Sequence, residues 1–278
     1  MPRQLHHFVP KFYLRRFIDP TAQPRELIWV YERNKSDGRL RQLRHVAART
    51  DYYAMRLPTG SKVYAAEVSL SKIEHAAAKV ISRVESGQSQ LPDQQRRAFS
   101  IFVAFCWSRV PKFRDEAERN TRAAMLHFLE TVAIDFPELA PRAERARAGW
   151  ELEPESVQDP SLAATMGLTV MGMAAGHLAM QLLKMRWSFC AIEGPTPLIT
   201  SDSPTLVASN SAPDAIGDYT VMFPVTPHLL FHACPGDGTY AAKLNTDYAA
   251  MANKCTAACS QRFVYSSSPI AVNWNLAG

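Results

Sequence analysis

The sequence predicts an α+β fold, and three observations carry that expectation. Two β-rich runs around a turn stand near the N-terminus, apolar segments of helical period fill 60–185, and short apolar runs between Pro/Gly turns follow from 187. The expected arrangement is an N-terminal β-hairpin and a C-terminal, mostly antiparallel sheet packed on a central helical bundle. A chain of 278 residues, 47% hydrophobic and 21% charged, can bury a core of that size and falls outside the disordered and fibrous classes. One domain is expected over 1–278: a basic arm and hairpin (1–55), a helical middle (60–185), and a sheet with a closing helix (186–278). Neither end carries enough apolar surface to fold alone.

The elements follow in order. The opening run His6-His7-Phe8-Val9-Pro10-Lys11-Phe12-Tyr13-Leu14-Arg15-Arg16-Phe17 holds four aromatic residues, too many for a frayed tail, so it is expected to pack into the fold. Residues 27–31 and 39–46 flank the turn Asn34-Lys35-Ser36-Asp37-Gly38 and predict the hairpin, the second strand less regularly because Leu40, Leu43 and Val46 do not alternate. Val63, Ala66, Leu70, Ile73, Ala77, Val80 and Val84 recur at spacings of three and four and predict a helix over 63–85, stopped at Gly87. A second helix opens near Pro92 and runs to Arg109. Its apolar residues Phe99, Ile101, Phe102, Val103, Phe105 and Trp107 cover nearly every face and predict burial all round. A third helix is expected over 112–134 and a short exposed one over 138–149, before a linker between Pro154 and Pro160. Residues 162–180 hold no Asp, Glu, Lys or Arg, but with His177, two threonines and no flanking basic cluster they read as a buried core helix rather than a membrane span. Strands are expected at 187–192, 198–200, 205–208, 219–223 and 229–233, then a helix at 245–261 and a strand at 263–266.

Charge is unevenly placed. Residues 1–50 hold eleven Lys/Arg and four Asp/Glu, a net +7 against +5 for the whole chain. Such asymmetry points to an anionic partner, nucleic acid first, with Lys11, Arg15, Arg16, Arg39, Arg41 and Arg44 as the candidate contacts. A solvated basic surface is the plainer alternative. The five cysteines (Cys106, Cys190, Cys234, Cys255, Cys259) are odd in number and scattered, and the start is polar, so reduced thiols in a cytoplasm are expected.

Several constellations could carry chemistry. Adjacent residues on an extended chain face opposite ways, so one of His6 and His7 is expected inward, as metal ligand, acid/base or structural histidine. His-His-x-x-Pro is also half of an HNH-type nuclease motif, but Asn34 and His45, the residues left to complete it, stand in the wrong register. Glu67 and Glu74 share one helix stripe about 10.5 Å apart and could line one cleft, or merely flank the apolar seam. Arg109 ends a buried helix before Val110-Pro111, where it meets a carboxylate, a phosphate or carbonyls, or caps its own helix. Ser201 and Asp202 end an apolar strand before Pro204. Ser201 is a candidate nucleophile without a nucleophile elbow, and Asp202 a partner for Arg109 or a histidine; an Asx/ST turn is the alternative. His228-x-x-x-His232 and Cys255-x-x-x-Cys259 suit core packing better than zinc.

The opening His-His-x-Val-Pro-Lys-Phe-Tyr-Leu-x-x-Phe resembles that of the domain of unknown function 4238 family. So do Ile28-Trp29-Val30-Tyr31-Glu32-Arg33, Asp51-Tyr52-Tyr53, the Glu67/Glu74 helix, Arg109-Val110-Pro111, Ile199-Thr200-Ser201-Asp202-Ser203-Pro204, Phe223-Pro224-Val225-Thr226-Pro227 and 245–266. The resemblance implies that these patches share one fold, and it supplies no reaction.

Two function classes follow. The first is a metal-dependent hydrolase or nuclease acting on a phosphate-bearing substrate, with His6, His7, Glu74, Arg109, Ser201 and Asp202 as its site, where a histidine with Asp202 and Glu74 would hold a divalent metal or act as acid/base. The second is a non-catalytic nucleic-acid-binding module built on the basic segment. They separate on geometry: the enzyme needs histidine, Arg109 and Asp202 converging, whereas the module needs only a basic face.

Overall fold

The structure is a computed structural model describing residues 4–35, 37–56, 62–135, 137–151, 160–209, 219–272 and 274. The chain opens with β1 (Leu5–His7), α1 (Lys11–Leu14), β2 (Leu27–Glu32), β3 (Arg39–Gln42), β4 (Ala48–Thr50), β5 (Met55–Arg56) and β6 (Lys62–Val63). Helices follow: α2 (Ala65–Glu85), α3 (Asp93–Ser108), α4 (Pro111–Asp135), α5 (Ala140–Glu151) and α6 (Pro160–Leu183). Then come β7 (Arg186–Ile192), β8 (Thr200–Ser201), β9 (Leu206–Ser209), β10 (Tyr219–Thr226), β11 (Leu229–Cys234), β12 (Thr239–Leu244), α7 (Thr246–Cys259) and β13 (Phe263–Ser266). The fold is α+β.

Two sheets organise it. One has the order β12-β7-β11-β10-β9 and is antiparallel except where β12 runs parallel to β7. The other, β3-β2-β13-β8, is antiparallel throughout and joins the N-terminal hairpin to the last strand of the chain. On its inner face Ile28 and Tyr265 enter the main core; on its outer face Tyr31 and Val264 pack with Ala257 of α7.

The arm is built into this core. Val9, Tyr13, Leu14 and Phe17 are fully buried, Phe12 lies 5.4 Å from Phe102 of α3, and Tyr13 lies 4.8 Å from Phe223 of β10, between ring centroids. The Tyr13 hydroxyl donates to the Pro224 carbonyl at 2.6 Å and pairs with Thr200 Oγ1 at 2.7 Å, so this buried polar group is satisfied. Asp19 then turns the chain into β2: its carboxylate accepts from Thr21 N, Thr21 Oγ1 and Trp29 Nε1 at 2.7–2.9 Å.

Several sequence expectations are corrected here. The second hairpin strand stops at Gln42, because 43–45 form a 3-10 turn that buries Leu43. Helix α3 is not buried all round: Ile101 is exposed, with Phe99, Phe102 and Val103 facing inward. Helix α6 starts at Pro160 and over 167–183 buries one side only, with Met173 71% and Met180 59% exposed. No helix among the described residues is long and apolar enough to cross a membrane. The linker expected between Pro154 and Pro160 lies outside the described residues apart from Pro160 itself. The strand expected at 198–200 is the two-residue β8, and β1, β4, β5, β6 and β12 have no counterpart in the sequence reading.

Candidate functional site

The arm is fastened by two acids of α2, one residue pair on each. His6 is the inward histidine, 2% exposed. Tyr53 N–H donates to its Nδ1 at 3.2 Å, so the proton sits on Nε2, which faces Glu67 Oε2 at 3.2 Å and Gln4 Oε1 at 3.4 Å. His7 is half-buried and donates from Nε2 to the Leu43 carbonyl at 3.4 Å. Burial lowers its pKa below the usual histidine value; Lys11 and Arg109 push the same way, while the Leu43 carbonyl and Glu74 oppose them.

Two turns along α2 from Glu67, Glu74 meets Arg109. The guanidinium, 1% exposed, leaves the end of α3 and donates from Nη1 to Glu74 Oε1 at 2.9 Å and from Nε to the Phe8 carbonyl at 2.8 Å. Burial opposes its charge, but Tyr53, Cys106 and Glu74 together raise its pKa above the ordinary value. Its Nη2 has no hydrogen-bond partner among the described residues. Burial pushes the adjacent Cys106 thiol up to about 12, which keeps it protonated and inert at neutral pH. Thus His7, Glu74 and Arg109 occupy one electrostatic neighbourhood beneath the arm.

Asp202 makes other contacts. It is 4% exposed, and its carboxylate accepts from three successive backbone amides: Gln261 N and Arg262 N at 2.8 Å, Phe263 N at 3.0 Å. Its own amide donates to the Phe263 carbonyl at 3.0 Å. Burial raises its pKa, and the three amides pull the other way. Ser201 is fully buried and its Oγ accepts from Ser203 N at 3.1 Å, a local turn. Arg109 therefore pairs with Glu74 and the Phe8 carbonyl rather than with Asp202. Among the described residues no group of three His, Cys, Asp or Glu side chains gathers as metal ligands. All five cysteines are unbridged.

The basic segment divides in two. Lys11 and Arg15 share Glu26 at 3.1 and 2.6 Å, and Arg16 reaches Glu85 at 3.0 Å. Arg33 donates to the Ala257, Ala258 and Ser260 carbonyls at the end of α7, a helix C-cap. Arg44 and His45 contact each other at 3.0 Å. Arg39 and Arg41 differ. They stand on exposed edge strand β3, opposite Val30 and Ile28 of β2, so they project to one face of the sheet. No ion pair holds either among the described residues. They border a concavity of about 300 Å³, floored by Val30 and Phe263 and closed by Glu32, Asn34, Lys35 and Asp37. Glu32 within it is held by Lys35 at 2.6 Å and by Arg262 at 2.7 Å.

A family model described as protein of unknown function (DUF4238) matches residues 5–269. The chain belongs to that family. No curated protein and no solved structure matches it.

In this DUF4238 chain, sequence reasoning missed how the arm is held. The Phe8 carbonyl that receives Arg109 carries no side-chain signal. Tyr53, whose amide fixes the His6 tautomer, was visible only as part of Asp51-Tyr52-Tyr53. Asn34 and His45, weighed for an HNH site, sit in the hairpin turn and in a 3-10 turn, and the antiparallel β5–β6 pair that leads into α2 holds neither of them. His228 lies in the turn before β11 and only His232 is in the strand.

Proposed function

We propose that the protein is a nucleic-acid-binding module that grips a phosphate backbone through β3. The observation that carries the reading is the pair Arg39 and Arg41, exposed, on one face of an edge strand and without an acidic partner among the described residues. Guanidinium groups held this way match phosphate oxygens in a fork geometry. Residues two apart on a strand are about 6.8 Å apart, so two guanidiniums can hold one phosphate or adjacent ones. Lys11, Arg15 and Arg16 already neutralise acids of their own surface, so the candidate basic face narrows to β3 and Arg44.

The hydrolase reading has less support. Its acid, Asp202, has both carboxylate oxygens occupied by backbone amides, and its arginine is closed beneath the arm. In the present reading His6, His7, Glu74, Arg109, Ser201 and Asp202 are structural: they fix the arm and the last strand, and through them the sheet that presents β3. A single domain and a cytoplasmic setting belong to the same reading, since both ends of the chain share one sheet and the thiols are unbridged.

The test is a fluorescence-anisotropy titration of labelled DNA and RNA at low salt. Arg39→Ala/Arg41→Ala is expected to weaken binding at least tenfold, and Lys11→Gln/Arg15→Gln to change it much less. Absence of binding by the folded wild-type protein at low salt overturns the proposal.

A further inference from the structure

Resting on that reading, we infer that the concavity beside β3 takes one nucleotide of a single strand, with its base seated in the pocket. A duplex needs only an exposed basic edge. The β2–β3–β13 face offers more. Val30 and Phe263 supply an apolar floor, and Phe263 supplies a ring. Asn34 holds positive φ (65°) in the hairpin turn and lines the same space with an amide, a donor and acceptor of the kind that reads an unpaired base edge. Arg39 and Arg41 rim it for phosphate, and Arg262 lies over the Phe263 ring at 5.0 Å. Lys35 and Arg262 hold Glu32, so outside that cluster two lining cations, Arg39 and Arg41, stand against one acid, Asp37. The pocket is therefore cationic at its rim and apolar at its base. Single-strand binders combine those two properties, a charged groove for the backbone and an aromatic side chain for the base. At about 300 Å³ the space lies at the small end of ligand sites, which limits it to one base.

The experiment compares three labelled probes of equal length at one salt concentration: a single strand, the same sequence as a duplex, and a single strand of abasic sugar-phosphate units. Wild type is expected to bind the base-bearing single strand roughly 5- to 150-fold more tightly than the abasic one, the range of a single base–aromatic stack. Phe263→Leu and Asn34→Gly, which keep an apolar side chain and a residue tolerant of positive φ, are expected to erase that preference and leave duplex binding unchanged. Arg39→Ala/Arg41→Ala is expected to weaken all three. Equal affinity for single strand, abasic strand and duplex overturns the base pocket and leaves phosphate binding standing. Failure to bind any probe overturns both.

Discussion

Replacing Asp202 by asparagine should destabilise the protein without touching a reacting group, and the size of the loss follows from the contacts. The carboxylate accepts three backbone N–H groups at 2.8–3.0 Å in a site that is 4% exposed. Asparagine offers one oxygen. Its better rotamer keeps Arg262 N–H and Phe263 N–H and turns its own NH2 toward Gln261 N–H, which is then an unpaired donor. An orphaned buried donor costs about 1–3 kcal/mol, and the two surviving bonds lose their charge assistance at roughly 1 kcal/mol each. Relief from burying a charge offsets part of this, leaving a net loss of about 2–4 kcal/mol. For a protein of this size that is a Tm lower by roughly 5–15 °C. Differential scanning fluorimetry on wild type, Asp202→Asn and Asp202→Ala reads it directly, with the alanine variant falling further because all three donors are orphaned. A shift below about 2 °C for Asp202→Asn refutes the reading of Asp202 as the staple between the end of β8 and the start of β13.

Two further outcomes concern the arm. Glu74→Gln removes the charge facing buried Arg109, and because the Glu74 side chain is 28% exposed the expected cost lies below the full value for a broken buried pair, at about 1–3 kcal/mol by urea denaturation; a change within 0.5 kcal/mol contradicts the clasp. His7 has a folded pKa below the unfolded value near 6.5, so the unfolded chain binds the extra proton. The stability it contributes is fully present above pH 6.5 and is lost as pH falls through the folded pKa, at up to about 1.4 kcal/mol per pH unit. His7→Gln should flatten the stability profile below about pH 6.5 and leave its shape above that unchanged, and superimposable profiles would refute the assignment.

Much of the fold was legible because it is local. The seam of α2, the hairpin turn at Asn34 and the glycine stop at Gly87, which has φ +86°, are short-range patterns. What escaped depends on distant chain. β12 is alanine-rich at its centre and becomes a strand only by pairing with β7, and β1 and β4 are three-residue strands that exist through each other. The exposed sides of α3 and α6 were misread because apolar composition does not tell which face the neighbouring elements cover. The candidate site shows the same division. Arg109 and the Ser201–Asp202 turn stood out as polar groups beside prolines, but whether Arg109 meets Asp202 or Glu74 is decided by tertiary packing. Charge counts could not separate Arg39 and Arg41 from Lys11, Arg15 and Arg16, because the carboxylates that engage the latter, Glu26 and Glu85, are found only in three dimensions.

The most direct measurement is the salt dependence of nucleic-acid affinity for wild type and Arg39→Ala/Arg41→Ala. Each phosphate contact contributes about 0.7 (single strand) to 0.9 (duplex) to the slope of log Kd against log salt. The account predicts a wild-type slope that drops in the double variant by roughly 0.7–0.9 where the two guanidiniums share one phosphate and by roughly 1.4–1.8 where they hold two. Identical slopes, or a wild type with no measurable binding at low salt, would contradict it.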